Sequence, residues 1–280
     1  MFALFLTIVC STSIALILKY NDTRGGNTLL LLTANYFIAA IIGYIFILAD
    51  PSSSYSIKTL LFAAFLAVLF VASFFSFAKA VKVAGTALAT VSSRLSVIVP
   101  LVLSILIYRE KPSYTQIIGL VFALITIILF YYSLKNINVT HLKFLDYFYL
   151  LAVLFGVGLS DFGMKIFQQW RPQTEKPYFI FTIFLCSFFY SFSVVMIQRI
   201  QLNKTVLIQG SILGIPNVFS TFFLLMALAQ LPAIIVYPMT NIGIILLTTL
   251  GAVLLWKEKL NRFGKFALFF GILAIALLGS

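Results

Sequence analysis

Three charged side chains lie inside long apolar stretches: Arg94, Asp161 and Lys165. Arg94 follows Thr90-Val91-Ser92-Ser93 and is far from either end of its apolar run. A charge at such depth costs roughly 2.5–3.5 kcal/mol on membrane-insertion scales, so it is expected to face a wet cavity or an acidic partner. There it would attract a carboxylate or phosphate group on a solute; the alternative is a purely structural ion pair. Asp161 and Lys165 are four residues apart and share one helix face. Lys165 is near enough to its helix end to snorkel, whereas Asp161 is deeper. Asp161 could support Lys165 locally, pair with Arg94 across two helices, or exchange a proton as access changes.

Uncharged polar groups recur in the same apolar stretches. Asn35, Tyr36, Ser73, Ser76, Asn217, Ser220, Thr221, Tyr237, Thr240 and Asn241 could each touch a solute or bond a neighbouring helix. Tyr237 and Asn241 are four apart, so hydroxyl and amide could address one solute. Pro238 removes the N–H that would bond Ile234, and Pro100 deprives Ser96 in the same way; both are expected to kink their helices, as gates or as static bends. Glu110 and Glu258 are flanked by basic residues beside loops and suit helix-end or inter-element pairing better than chemistry.

No nucleophile and base are set beside one another, and P-loop, dinucleotide and zinc-hydrolase patterns are missing from the sequence. His141 falls in a connection rather than among the deep polar groups. Cys10 and Cys186 sit in apolar runs, where a free cysteine behaves as a small hydrophobe. Neither a metal site nor a cofactor is expected, and an intramembrane enzyme remains only as the competing class.

The elements that hold these groups must be membrane-spanning helices. Of the 280 residues 62% are hydrophobic and 9% charged, against roughly 25% charged in a soluble domain. Lipid offers backbone N–H and C=O groups no partners, so spans are helical and need about 20 residues. Ten are expected, at 2–19, 28–49, 58–79, 85–108, 114–133, 145–169, 177–198, 206–228, 232–255 and 262–279. The breaks between them carry turn chemistry: Asn21 to Asn27, Asp50-Pro51-Ser52-Ser53-Ser54, Arg109 to Ser113, Ser133 to Lys143, and Arg171 to Pro177. Lys79 to Gly85 leaves only a tight hairpin, and Gln230-Leu231-Pro232 starts the ninth span. Met1 to Lys19 lacks a basic leader region and reads as a retained first helix. The net charge of +12 is spread over short connections, which excludes a basic nucleic-acid face and leaves topogenic charge.

The chain also repeats itself. At an offset of 148 residues, Ile107-Tyr108-Arg109-Glu110-Lys111 meets Leu255-Trp256-Lys257-Glu258-Lys259, Gly119 meets Ala267, and Phe122 meets Phe270. This divides the chain into two five-helix repeats, 1–137 and 138–280. Five crossings per repeat make equivalent helices run in opposite directions, the all-α inverted-repeat arrangement of many secondary transporters, with the substrate site near the midplane between the halves. Transport by alternating access is therefore expected; a non-transporting membrane scaffold is the alternative.

With these motifs the sequence resembles the drug/metabolite transporter superfamily, and within it the ten-helix EamA-like permeases. The resemblance rests on Leu106 to Ser113 followed by Gly119, Leu254 to Asn261 followed by Ala267, Phe77-Ala78-Lys79-Ala80, and Met226 to Gln230 leading to Pro232 and Ala233. It departs from the family where Ala267 replaces the usual Gly. The resemblance implies a carrier in the cytoplasmic membrane of a prokaryote, exporting small organic solutes such as amino acids, metabolites or drugs, with proton coupling as one option and a monomer or homodimer in contact with membrane lipids. It also implies cytoplasmic termini on one side. The basic connections argue the opposite: Lys19, Arg24, Lys79, Lys82, Lys135, Lys143, Arg199, Lys204, Lys257, Lys259, Arg262 and Lys265 would then face outward.

Overall fold

The computed structural model describes residues 1–134, 144–257 and 260–280. The described chain is all-α: α1 (Phe2–Thr23), α2 (Thr28–Ala49), α3 (Ile57–Leu95), α4 (Ile98–Tyr108), α5 (Tyr114–Leu134), α6 (Phe144–Trp170), a short 3₁₀ turn (Gln173–Glu175), α7 (Lys176–Ile197), α8 (Lys204–Gln230), α9 (Ala233–Trp256) and α10 (Arg262–Leu278). Among the described residues, eight helical runs are long and apolar enough to cross a membrane, one of them the run Ile57–Tyr108. The protein is therefore a multi-pass membrane protein. Phe2, Leu48, Leu61, Leu106 and Ile197 are exposed, as lipid-facing positions require.

Local chemistry sets the helix ends. The Asn27 side chain accepts from Leu29 N and Leu30 N at 3.0 and 3.1 Å, Asn203 does the same for Thr205 and Val206 at 2.9 and 3.2 Å, and Asn261 caps Gly264 N at 2.8 Å. α1 runs past its expected end to Thr23 because Asn21 is buried and donates to the Gly26 carbonyl at 3.1 Å, which moves the turn to Arg24 and Gly25. α4 and α9 both end on a left-handed residue, Arg109 and Lys257.

The region of the third and fourth expected spans differs from the sequence reading. The helix continues through Lys79 and Lys82 and loses helical geometry only at Gly85, at φ 83° and ψ 159°, a conformation that needs a residue without Cβ. Ala80 and Ala89, on either side of it, share an apolar cluster with Leu150 and Val153 of α6. A second interruption falls at Ser96 and Val97. Pro100 thus lies in the first turn of α4 rather than kinking a long helix, and the Ser96 carbonyl accepts from Val99 N at 3.0 Å. The Pro ring that would clash in a helix interior is accommodated by restarting the helix just before it.

The helices gather into two compact units, 1–71 with 166–229 and 72–165 with 230–280. Neither coincides with a sequence half. In the first, α2 packs along α7, with Phe37 on Phe188 and Tyr44 on Phe181 at 5.2 and 5.7 Å between ring centres. α8 approaches α2 at Gly210 and Gly214, where an added Cβ would lie 2.2 Å from the Leu31 carbonyl oxygen and 2.7 Å from that of Asn35. This is small-residue packing at a four-residue interval, with backbones in close approach. Arg171, Glu175 and Thr59 tie the loop before α7 to the start of α3: Arg171 Nη2 meets Glu175 Oε1 at 2.7 Å and Nε meets Thr59 Oγ1 at 2.8 Å, while Thr59 donates to Glu175.

In the second unit α5 packs along α10, and both touch α9. Phe122 meets Phe270 at 5.5 Å. α9 is buried on every side from Ala233 to Leu246, the pattern of a central helix rather than a surface one. Gly158 of α6 admits Val99 and the Ser96 carbonyl to within 2.6 and 2.7 Å of where its Cβ would stand.

Candidate functional site

The second unit assembles Arg94, Asp161, Lys165, Tyr237, Asn241 and Glu110 from α3, α6, α9 and the segment that follows α4. Arg94 sits on the last turn of α3, directly before the interruption at Ser96 and Val97. Its Nη1 donates to Asn241 Oδ1 at 3.5 Å, the outer limit of a hydrogen bond. A guanidinium has five N–H donors in a planar fork, and this contact engages one of them.

Lys165 does not pair with Asp161, nor does it snorkel. It is 3% exposed, its Nζ lies 2.8 Å from Glu110 Oε1, and it stands 5.7 Å over the Tyr108 ring. Burial and a carboxylate just past the end of α4 take the place of the intrahelical partner that four-residue spacing allows. Glu110 also takes the first two N–H groups of α9, Ala233 N at 3.1 Å and Ile234 N at 3.0 Å. Helix N-terminal donors have no partner within their own helix and carry partial positive charge, so a carboxylate satisfies them well. Glu258 lies outside the described residues.

Tyr237 and Asn241 do not present hydroxyl and amide side by side. The Tyr237 hydroxyl donates to the main-chain carbonyl of Asp161, and Asn241 Nδ2 donates to the Tyr237 carbonyl at 3.2 Å. Pro238 is inside α9 and buried. It lines, with Val97, Leu101, Ala123 and Asn241, a crevice of about 160 Å³ among α4, α5 and α9.

The first unit holds a separate polar group. Asn217 Nδ2 donates to Asn35 Oδ1 at 3.0 Å, and Ser11 and Ser220 hydroxyls meet at 2.6 Å. Asn35 is fully buried, and its Nδ2 has no partner among the described residues. Thr221, and Ser76 in the second unit, donate to carbonyls of their own helices, Asn217 at 3.2 Å and Ala72 at 2.9 Å, which engages the hydroxyl protons and leaves the oxygens as acceptors. Pro216 within α8, Gly210 with Gly214, and the Arg171–Glu175 pair were not singled out from sequence. The G-x-x-x-G spacing of the glycines and the four-residue spacing of Arg171 and Glu175 were readable signals.

Among the described residues no group of three or more His, Cys, Asp or Glu is placed to hold a metal ion.

Residues 1–132 match the EamA-like transporter family model. A protein of Haemophilus influenzae described as uncharacterized is 27% identical over 282 residues, 97% of this chain and 95% of that one. A crystal structure of a protein with 13% sequence identity superposes with a TM-score of 0.80 over 99% of this chain and 94% of its own, a likeness of fold. The chain is a multi-spanning α-helical membrane protein whose residues 1–132 are similar to the EamA-like transporter family.

Proposed function

We propose that the protein is a secondary transporter that exports a small organic solute bearing an anionic group across the cytoplasmic membrane by alternating access. The observation that carries this reading is Arg94: a guanidinium beside a helix interruption in the middle of an apolar run, bonded to the neutral amide of Asn241. A purely structural arginine would be expected in a direct, multiply bonded ion pair, because burying an uncompensated charge is expensive.

The inverted repeat is supported by three features of the fold. Helices five apart in order pack together, α2 on α7, α4 on α9 and α5 on α10. Phe122 and Phe270, equivalent at the 148-residue offset, touch. Arg109 and Lys257, equivalent at the same offset, end their helices in the same conformation. Two crossings within Ile57–Tyr108, divided at Gly85, and α10 as a short last span bring the count to ten and put both termini on one side. The repeats 1–137 and 138–280 then interleave, each compact unit drawing on both.

Uptake and efflux in sealed vesicles, against a panel of organic anions, zwitterions, sugars and cationic drugs with and without a proton gradient, test the reading. Movement of at least one organic anion or zwitterion above protein-free vesicles is expected. Loss of gradient dependence in Asp161→Asn would assign proton coupling to that carboxylate. Indifference of every solute to the presence of the protein would overturn the proposal.

A further inference from the structure

The connection from α1 to α2 and the connection from α7 to α8 meet within the first unit around an open depression of about 720 Å³. Ligand sites span roughly 300–1,000 Å³. Its polar lining comes from Arg24 and Asn27 on one side and from Gln201, Asn203, Thr205 and Gln209 on the other, and none of the residues that line it is acidic. Both connections join membrane-spanning helices, so the depression opens at the level of the lipid headgroups.

The two asparagines have a group to spare. In each, Oδ1 accepts from the N–H groups that open its own helix, Leu29 and Leu30 for Asn27, Thr205 and Val206 for Asn203. With the oxygen so engaged, Nδ2 and its two N–H donors are what the side chain offers a ligand, and both residues are exposed. Arg24 is exposed as well; its guanidinium stands 4.6 Å over the Tyr20 ring, a contact with an aromatic ring and not with a carboxylate. In the two connections Arg24, Arg199 and Lys204 outnumber Asp22, which makes the local field positive. Apolar surface adjoins the donors: Leu202, in the lining, is 68% exposed, and Ile197, at the end of α7, is 79% exposed.

We propose that this depression is a binding site for the headgroup of an anionic phospholipid, its phosphate held by Arg24 and the Nδ2 groups of Asn27 and Asn203, its acyl chains against Leu202 and Ile197. A lining of donors without a carboxylate suits a phosphate, and basic pockets between spanning helices recognise anionic headgroups. A lipid is selected over a free anion because the membrane holds it at this level and its chains cover the exposed apolar side chains. Zwitterionic lipids bring an ammonium group that the positive connections repel, so the site discriminates by net charge. It stands apart from Arg94 and from the transport reading.

The full chain in phosphatidylcholine nanodiscs, with spin-labelled lipids in competition, tests this. Labelled phosphatidylglycerol is expected to associate about tenfold more tightly than labelled phosphatidylcholine, and Arg24→Gln to lower that preference about fivefold, the contribution of one basic residue near an anionic headgroup. Asn27→Asp combined with Asn203→Asp keeps both helix caps while replacing two donors with carboxylates. That variant is expected to melt no lower than the wild type and to lose the preference, which separates loss of the site from loss of the fold. Arg262→Gln, at the start of α10, is expected to change nothing. Equal association of the two lipids with the wild type, or a preference that survives the paired aspartates, would overturn the site. Equal losses in Arg24→Gln and Arg262→Gln would overturn it as diffuse surface charge. Displacement of phosphatidylglycerol by inorganic phosphate, but not by chloride at matched ionic strength, would overturn the lipid assignment in favour of a free anion.

Discussion

Arg109 and Lys257 hold the same uncommon backbone conformation, φ 54° and ψ 34° in one, φ 54° and ψ 33° in the other, and each donates its N–H to the carbonyl five residues earlier, Ser104 and Ala252. Left-handed geometry costs a residue with a Cβ about 1 kcal/mol, so two helices ending this way at matching places carry the same local strain.

Arg109→Gly and Lys257→Gly should therefore each stabilise the folded protein by about 0.5–1 kcal/mol, since glycine adopts this conformation freely at a helix C-terminus. Arg109→Val should destabilise it, because a β-branched side chain tolerates positive φ poorly. Thermal unfolding in detergent checks all three; a loss of stability in both glycine variants would show that the side chains, not the backbone, hold these turns.

Lys165, Glu110 and the start of α9 form one buried unit. Lys165→Met should destabilise by roughly 3 kcal/mol, as breaking a buried pair leaves a carboxylate with reduced compensation. Lys165→Met with Glu110→Gln should recover part of that loss, because the neutral amide can still accept from α9. Additive losses in the double-variant cycle would mean that the two residues act independently.

The tight approach of α8 to α2 gives a graded prediction. Gly210→Ala puts a Cβ against the Leu31 backbone oxygen and should cost about 1–3 kcal/mol. Gly264→Ala meets the Ser133 hydroxyl at 2.8 Å instead, a side chain that can rotate away, and the helix-propensity gain of alanine should leave it near neutral. Comparable melting temperatures for the two variants would contradict the close backbone contact.

Helix positions are legible where the sequence supplies its own stop chemistry. Asn27 and Asn261 cap the helices expected to start beside them, and Pro232 immediately precedes α9. Boundaries that depend on packing are not. The helix runs on through Lys79 and Lys82 to Gly85, although charged residues beside a glycine suggest a loop from Lys79. The break at Ser96 and Val97 has only Pro100, several residues later, to announce it. The candidate site divides in the same way. Arg94 is legible because a charge in apolar sequence is costly wherever the chain folds. The partner of Lys165 is not, because Glu110 is distant in sequence and reaches it only through the packing of α4 on α6 and α9. Tyr237 and Asn241 share a helix face as their spacing requires, yet the Asp161 carbonyl claims the hydroxyl. The compact units likewise mix the two sequence halves, which a repeat register cannot specify.

Transport of an organic anion by the wild type and by Arg94→Gln, in vesicles matched for inserted and correctly folded protein, tests the central claim most directly. A charge-assisted hydrogen bond contributes roughly 1.5–3 kcal/mol, so the account predicts a loss of about ten- to hundredfold in the variant, with partial recovery in Arg94→Lys. Equal rates in the wild type and Arg94→Gln would contradict it.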